Sequence, residues 1–124
     1  MNFSDREEVP AKEFLVQKQP KTDQERVVCL AYYLAHFRDT PHFKTTDISR
    51  LNTEAAHAKF SNPSYTVANA ANAGLLVSAG KGAKQISAMG ERYVEALPDR
   101  NAAKEVKASM RPRRGRKKAN DNSK

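Results

Sequence analysis

The most informative stretch of this sequence spans residues 61–93, SNPSYTVANAANAGLLVSAGKGAKQISAMGERY. Its first part predicts a helix, because a polar cap followed by proline places the missing amide where a helix needs no donor. We expect that helix to end at Gly74, since glycine adopts the left-handed conformation of a helix C-terminus most easily. The hydrophobic period then changes, which predicts strands at 75–78 and 85–87 around a basic hairpin tip at 79–84.

Two further helices are predicted upstream of this stretch. Thr22 and Glu25 have capping-box spacing, and apolar side chains follow at helical spacing to about residue 38. Thr45 or Thr46 is the predicted cap of a shorter helix. Its apolar stripe consists of Ile48, Leu51, Ala55 and Ala58.

Helices are also predicted at the two sides of this central region. Ser87 can cap a helix that ends before Pro98. The side chains that this helix would bury are Met89, Tyr93, Val94 and Leu97. Near the N-terminus a short helix is predicted from Ala11 to Lys18, and Phe14 and Leu15 are its only sizeable apolar anchors. We expect it to dock through those two side chains.

Three helices, a strand, a glycine-containing turn, a strand and a further helix follow one another in the order of a winged helix-turn-helix domain. The segment 73–77, AGLLV, resembles the end of a recognition helix and the first wing strand of that superfamily. The segment 85–93, QISAMGERY, resembles the second wing strand running into the C-terminal helix. The resemblance covers roughly residues 23–98, and it implies a mainly α fold with a three-helix core, a two-stranded wing and a C-terminal helix.

The chain is accordingly expected to contain three regions. Residues 1–21 would form an N-terminal docking segment, residues 22–98 the winged helix-turn-helix domain, and residues 99–124 a disordered basic tail. The formal net charge is +8, and residues 101–124 supply most of it, with nine basic and two acidic residues. Residues 23–100 are almost balanced, with nine basic and eight acidic residues. The charge is therefore mainly a property of the tail.

Composition also bears on the compartment. No apolar run approaches the 18 or so residues of a membrane helix, and the acidic start lacks the pattern of a secretory signal. The single Cys29 allows no internal disulfide. We expect a cytoplasmic, nucleoid-associated protein (nuclear in a eukaryote) without a membrane partner.

The superfamily resemblance implies insertion of the third helix into the DNA major groove, with the wing on the adjacent backbone or minor groove. At 100° per residue, Tyr65, Asn69 and Asn72 point outward and Thr66 lies at the margin. Asparagine can contact the adenine edge, threonine can offer a methyl or hydroxyl group, and tyrosine can contact phosphate or sugar. The remaining predicted contacts are Ser61, Asn62 and Ser64 around the helix start, of which Asn62 and Ser64 could hold a phosphate, and Lys81 and Lys84 on the wing.

A second hypothesis is that the third helix binds a protein. No Lys or Arg occurs between Lys59 and Lys81, so the predicted reading helix lacks the charges that supply most DNA affinity. Winged helices also serve as protein-interaction modules. The asparagines would then be a solvated face or a partner contact, and the tail would hold the assembly near nucleic acid. RNA binding has weaker support, because no stacking platform of aromatic residues is evident.

The basic run 111–118, RPRRGRKK, contains an Arg-Gly-Arg core and resembles the AT-hook, a peptide that binds the minor groove of A·T-rich DNA. The flanks depart from that pattern, because Arg113 separates Pro112 from the core and Lys117 stands where the second proline is expected. The other interpretation is a polybasic arm that neutralises phosphates on any duplex or RNA. In both cases the contacts are Arg111, Arg113, Arg114, Arg116, Lys117 and Lys118.

Two further groups of side chains are better explained by packing than by a catalytic or metal-binding role. Cys29 and His36 share a helix face, but two ligands do not make a zinc site, so we interpret them as packed or solvated side chains. Tyr32 and Tyr33 form a second apolar side on their helix, covered either by the segment around Phe14 or by a homodimer or protein partner. No catalytic or cofactor-binding signature emerges. We therefore expect a DNA-binding protein, either a transcriptional regulator or a nucleoid-associated accessory factor, and not an enzyme.

Overall fold

The computed structural model describes residues 9–110. This part of the chain is mainly helical with one two-stranded antiparallel hairpin, which confirms the predicted fold class at that level. The elements are α1 (Ala11–Lys18), α2 (Asp23–Phe37), α3 (Thr45–Glu54), α4 (Pro63–Asn72), β1 (Leu76–Gly80), β2 (Ala83–Ile86), α5 (Ala88–Ala96) and α6 (Arg100–Met110).

Local capping explains where most helices begin. The Thr22 side chain accepts a hydrogen bond from Glu25 N, as the sequence predicts for α2. Helix α3 differs from the prediction, because its N-cap is Lys44 and neither threonine. The Asp47 carboxylate accepts from Lys44 N at 2.9 Å, so a carboxylate at the third helical position does the capping.

The hairpin is tighter than the predicted six-residue tip. Lys81 and Gly82 form a two-residue loop, and both have positive φ, at 54° and 80°. Such a loop matches the right-handed twist of the flanking strands. On the outer edge of β2, Lys84 exchanges two backbone hydrogen bonds with Phe43, at 2.9 and 2.7 Å. This bridge ties the hairpin to the segment that leads into α3.

The hydrophobic core is centred on α2, which is buried on more than one side. Its fully buried side chains include Val27, Val28 and Leu30. Helix α1 covers a second side, since Phe14 and Leu15 are 4% and 1% exposed. The predicted docking of α1 through those two residues is confirmed.

The docking of α1 also settles what covers the tyrosine face. The Phe14 ring stacks on Tyr32 with centroids 5.8 Å apart and tilts against Tyr33 at 5.5 Å. Tyr33 is 1% exposed, and its hydroxyl donates to Val9 O. Of the two predicted covers of this face, the intramolecular one is therefore confirmed for Tyr33, because the chain's own α1 occupies that surface.

Helix α5 is fixed closely against the start of the hairpin. The Ser87 side chain caps it by accepting from Gly90 N at 2.9 Å, as predicted. A Cβ at Gly90 would lie 2.2 Å from Leu75 O and 2.8 Å from Ile86 Cγ1, so only glycine allows this approach. Met89, Tyr93, Val94 and Leu97 are buried, which confirms the predicted apolar face.

The segment predicted to be disordered from residue 99 contains helix α6 as far as Met110, so that prediction is wrong for residues 100–110. Ala103 is fully buried, and Lys107 Nζ lies 5.8 Å from the centre of the Tyr93 ring. Tertiary contacts thus stabilise a helix whose own apolar content is low.

A buried carboxylate joins α6 to α2. Arg100 donates to Glu25 Oε1 and Oε2 at 2.8 and 2.7 Å, and Glu25 is 6% exposed. The carboxylate also accepts from Lys21 N at 2.7 Å and Tyr93 Oη at 3.2 Å. Burial alone would raise the pKa of Glu25, but the bonds from Arg100 and Lys21 outweigh it and hold that pKa below 4.5. Glu25 is therefore charged in the folded protein at neutral pH.

Candidate nucleic-acid interface

Helix α4 presents one uncharged polar face to the outside. Tyr65 is 64% exposed and Asn72 is exposed, whereas Asn69 is half-buried. Ser61 and Ser64 extend this exposed surface beyond the helix start. The opposite side is packed into the core, with Val67 and Ala70 at 3% and 0% exposure. The structure thus brings together most of the residues that the sequence singled out on this helix.

Thr66 is more buried than its predicted place at the margin of the outward face suggests. It is 8% exposed, and its hydroxyl donates to Asn62 O at 3.1 Å. Ser64 is exposed, and Thr66 lies two residues further along α4. At about 100° per residue, this rotation places Thr66 on the nearly opposite, buried side of the helix. Its hydroxyl is already bonded, and Thr66 contributes only a small exposed area to the cleft that Tyr65 and Asn69 also line.

The start of α4 offers fewer amides to a phosphate than the sequence suggests. Asn62 Oδ1 accepts from Tyr65 N at 3.1 Å, so the cap already uses that donor. Pro63 has no amide proton, and Thr66 N donates to Asn62 O at 3.0 Å. A shallow cleft of about 370 Å³ lies beside this helix start, and Asp23 of α2 contributes a carboxylate to its wall. This side of α4 is therefore better suited to a neutral or hydrogen-bonding group than to an anion.

The two wing lysines differ in exposure. Lys81 is exposed at the loop, and Lys84 is half-buried beside the Phe43 bridge. Side chains directly opposite in an antiparallel pair lie on the same face of the ribbon, so Lys84 shares its face with the buried Phe43. Lys81 is the better placed of the two for a partner approaching the tip.

The predicted tail contacts Arg111, Arg113, Arg114, Arg116, Lys117 and Lys118 lie outside the described residues, so the AT-hook resemblance stays a prediction. Helix α6 is described as far as Met110, the residue before this run. Its first residue is held by Glu25, so the basic segment is attached to a helix that packs on the domain.

A hydrogen-bond network that the sequence did not predict holds residues 55–62, which we call the α3–α4 connection. Arg26 Nη1 donates to Ala58 O at 2.7 Å and to Asn52 Oδ1 at 3.0 Å. Asn52 Nδ2 donates to the same Ala58 carbonyl at 3.0 Å, and the guanidinium lies 4.4 Å from the centre of the Phe60 ring. Ala58 was expected on the apolar stripe of α3, but it is exposed beyond the helix end and serves as an acceptor.

Two cations beside this connection were also missed. Arg50 on α3 has a side chain that is 77% exposed, and Lys59 is exposed on the connection. Both line a groove of about 310 Å³ whose wall includes Pro63, the first residue of α4. The sequence signal was only two isolated basic residues, and their common location depends on how the connection folds back.

Cys29 is buried in the core, and His36 packs against an aromatic ring. Burial raises the pKa of the Cys29 thiol to about 12, so it carries no reactive thiolate at neutral pH. His36 stacks on Tyr32 with centroids 4.2 Å apart, and its Nε2 lies 3.4 Å from Glu91 Oε2. Among residues 9–110, no three His, Cys, Asp or Glu side chains are grouped so that they could hold a metal ion.

Comparison of the chain with protein-family models, with characterised proteins and with solved structures found no match. Within the described part of the chain, no helix combines the length and the apolar character needed to cross a bilayer. Functional inference therefore rests on the geometry of α4, the wing and the α3–α4 connection.

Proposed function

We propose that this protein binds double-stranded DNA as a transcriptional regulator or nucleoid-associated accessory factor, with a winged helix-turn-helix domain at residues 22–98. The observation that carries the proposal is the outward face of α4, a capped helix anchored in the core, on which Tyr65 and Asn72 are exposed and Asn69 is half-buried. The order of the elements α2, α3, α4, hairpin and α5 supports it, because the winged-helix resemblance implies that order.

The chemistry of this face suits contacts to base edges. A helix fits the major groove of B-DNA, and an asparagine amide can pair with adenine N6 and N7. Asn72 is exposed, Asn69 is half-buried, and the exposed Tyr65 can reach phosphate or sugar. An amide pair reads sequence while adding no charge, so affinity must come from other residues.

The charge for DNA binding comes from outside α4. Lys81 at the wing tip and the basic run 111–118 are the predicted phosphate contacts. Six tail contacts would give a logarithmic salt slope of roughly −5, at about −0.9 per phosphate. In this proposal the domain sets orientation, and the tail supplies most of the electrostatic free energy.

A second candidate function is recruitment of a protein by α4. The observation in its favour is that this exposed face carries no cation and includes a tyrosine that is 64% exposed. Tyrosine is enriched at protein interfaces because it combines apolar area with a hydrogen-bonding group. The tail would then only tether the assembly to nucleic acid.

A tail-neutral variant of the full chain separates the two candidates. In it the six basic residues Arg111, Arg113, Arg114, Arg116, Lys117 and Lys118 are replaced by glutamine, which leaves α6 intact. Fluorescence anisotropy with a mixed-sequence duplex across a salt series should show weaker binding with a slope shallower by about 5. Residual binding supports DNA contact by the domain, whereas complete loss favours the protein-recruiting module.

Base reading is tested by the double variant Asn69→Ala/Asn72→Ala. We expect it to change preference among duplexes by about tenfold or more, because a good amide contact discriminates bases by about 1–3 kcal/mol. The exposed Asn101 on α6 provides a matched control, Asn101→Ala, which should change nothing. An equal loss on every duplex would contradict base reading.

A further inference from the structure

A groove of about 310 Å³ runs between α3 and the α3–α4 connection, on a surface that the sequence did not single out. Its polar and charged lining comes from α3 and from Lys59 on the connection. The groove is lined by Ser49, Arg50, Asn52, Thr53, Lys59, Phe60 and Pro63.

The wall of this groove is preorganised by buried contacts. Asn52 is 1% exposed and donates to Ala58 O, which also accepts from Arg26 at 2.7 Å. Phe60 is 7% exposed and packs under the Arg26 guanidinium. The backbone is therefore fixed on both sides of Lys59, and the lysine is presented from a rigid position.

The charge of the groove is positive. Arg50 and Lys59 are its two charged lining residues, and hydroxyls and an amide supply the remaining polar groups. Arg50 Nη1 lies 3.5 Å from Asp47 Oδ1, and Asp47 lines a second cleft that Arg50 also borders, not the groove itself. Glu54 borders that same second cleft and is paired with Arg38. The groove itself is thus complementary to an anion.

We propose that this groove binds a backbone phosphate of nucleic acid, held by Arg50 and Lys59, beside the start of α4. This inference rests on the proposed function, because the ligand is the backbone of the duplex that α4 would read. Pro63 belongs both to the groove wall and to the first turn of α4, so a phosphate in the groove adjoins the reading helix. The groove supplies to the domain the cations that α4 lacks.

The test is a salt series on the tail-neutral full chain, so that the tail does not mask the groove. Arg50→Gln/Lys59→Gln should make the logarithmic salt slope on a mixed-sequence duplex shallower by nearly 2, since each phosphate contact contributes about 0.9. The matched control is Lys12→Gln/Lys104→Gln, which removes two exposed cations from α1 and α6. It lowers the net charge equally and should leave the slope unchanged.

The outcomes separate this inference from the function on which it rests. An equal change of slope in both double variants overturns the groove, because net charge would then explain the effect. If Asn69→Ala/Asn72→Ala leaves duplex preference unchanged while Arg50→Gln/Lys59→Gln still flattens the slope, base reading fails and the groove stands.

If the tail-neutral chain binds no duplex, inorganic phosphate is titrated while backbone amide shifts are followed by NMR. Shifts at Ser49 and Lys59 that disappear in Arg50→Gln/Lys59→Gln would show that the groove binds an anion. Its ligand would then be free phosphate and not the nucleic-acid backbone. Absence of those shifts overturns the proposal. Binding of poly-glutamate with the same dependence on Arg50 and Lys59, without duplex binding, overturns the assignment to nucleic acid.

Discussion

Glu25 and Arg26 are neighbours on α2, yet they hold two different regions of the molecule. Glu25 bonds to Tyr93 and Arg100 and so anchors the C-terminal scaffold, which we define as α5 and α6. Arg26 bonds to Asn52 and Ala58 and so anchors the α3–α4 connection. In the C-terminal scaffold, the Glu25 carboxylate is buried among hydrogen-bond donors. At the α3–α4 connection, Arg26 is half-buried and the basic side chains of Arg50 and Lys59 nearby are exposed.

The contrast indicates that α2 holds the two regions through separate contacts, and that the cations of the proposed phosphate site lie only in one of them. The scaffold carboxylate is 6% exposed and fully paired, which is typical of a group that fixes one packing arrangement. Around the connection, Arg50 and Lys59 keep their charges in solvent, where a ligand can reach them. Variants on the scaffold should therefore change mainly stability, and variants at the connection should change mainly local order and binding.

The largest effect is expected from Gly90→Ala in the scaffold. The new Cβ would lie 2.2 Å from Leu75 O, so α5 has to move away from the start of the hairpin. The gain in helix propensity, about 1 kcal/mol, does not offset this overlap, and we expect a net loss of roughly 3 kcal/mol. Urea denaturation followed by circular dichroism measures it.

Arg92→Ala is the matched control for that variant, because Arg92 is exposed on the same helix. It should stay within about 0.5 kcal/mol of the parent protein. A Gly90→Ala protein as stable as this control would mean that α5 can shift without cost, and the scaffold would then be less rigid than its contacts suggest.

The next effect is that of Glu25→Gln, which replaces the charged acceptor by a neutral group. At neutral pH we expect a loss of about 2 kcal/mol, because hydrogen bonds to a charged group are lost or weakened. The bonds from Arg100 and Lys21 hold the pKa of Glu25 below 4.5, so the charged group stabilises the fold above that pH. This contribution disappears as the pH falls through the lowered pKa.

The stability difference between the parent protein and Glu25→Gln should therefore be largest near neutral pH and shrink below about pH 4.5. Urea denaturation at several pH values between about 7 and about 3.5 gives both curves. A difference that stays constant over this range would show that the variant acts through packing, and the carboxylate would not be the group that anchors α6.

The parts of the fold that could be predicted are those with local causes. Thr22, Asn62 and Ser87 cap helices through partners three residues away, and each cap was evident from the sequence. Helix α6 was missed because it depends on partners far along the chain: Arg100 meets a carboxylate 75 residues earlier. Low local apolar content correctly indicates a weak isolated helix, but it carries no information on such contacts.

The candidate interface divides in the same way. Outward positions on α4 follow from helical periodicity, which placed Tyr65 and Asn72 correctly, whereas Asn69 is half-buried and Thr66, predicted at the margin, is buried. The groove was not predictable, because Arg26 meets Ala58 across 32 residues and that contact fixes where Lys59 lies. Periodicity describes one helix, whereas the groove is a product of how two helices and a connection pack together.

The smallest expected change in global stability is that of Arg26→Met, which keeps an unbranched apolar chain at this position but removes the guanidinium and its donors. We expect a loss of about 1 kcal/mol, because Ala58 O keeps its bond from Asn52. The larger consequence should be local, with faster hydrogen exchange at the amides of His57 and Tyr65, which bond within or beside the connection.

Amide exchange measured residue by residue decides whether the two regions are separable. In Arg26→Met, the Ser87 and Leu97 amides, at the two ends of α5, should keep the protection of the parent protein, apart from the small global change. Arg26→Lys retains the cation without the forked geometry, so it should restore charge but not the protection of His57. Equal loss of protection at all four amides would mean that Glu25 and Arg26 hold one cooperative unit, and local opening at the connection could not then tune binding independently of folding.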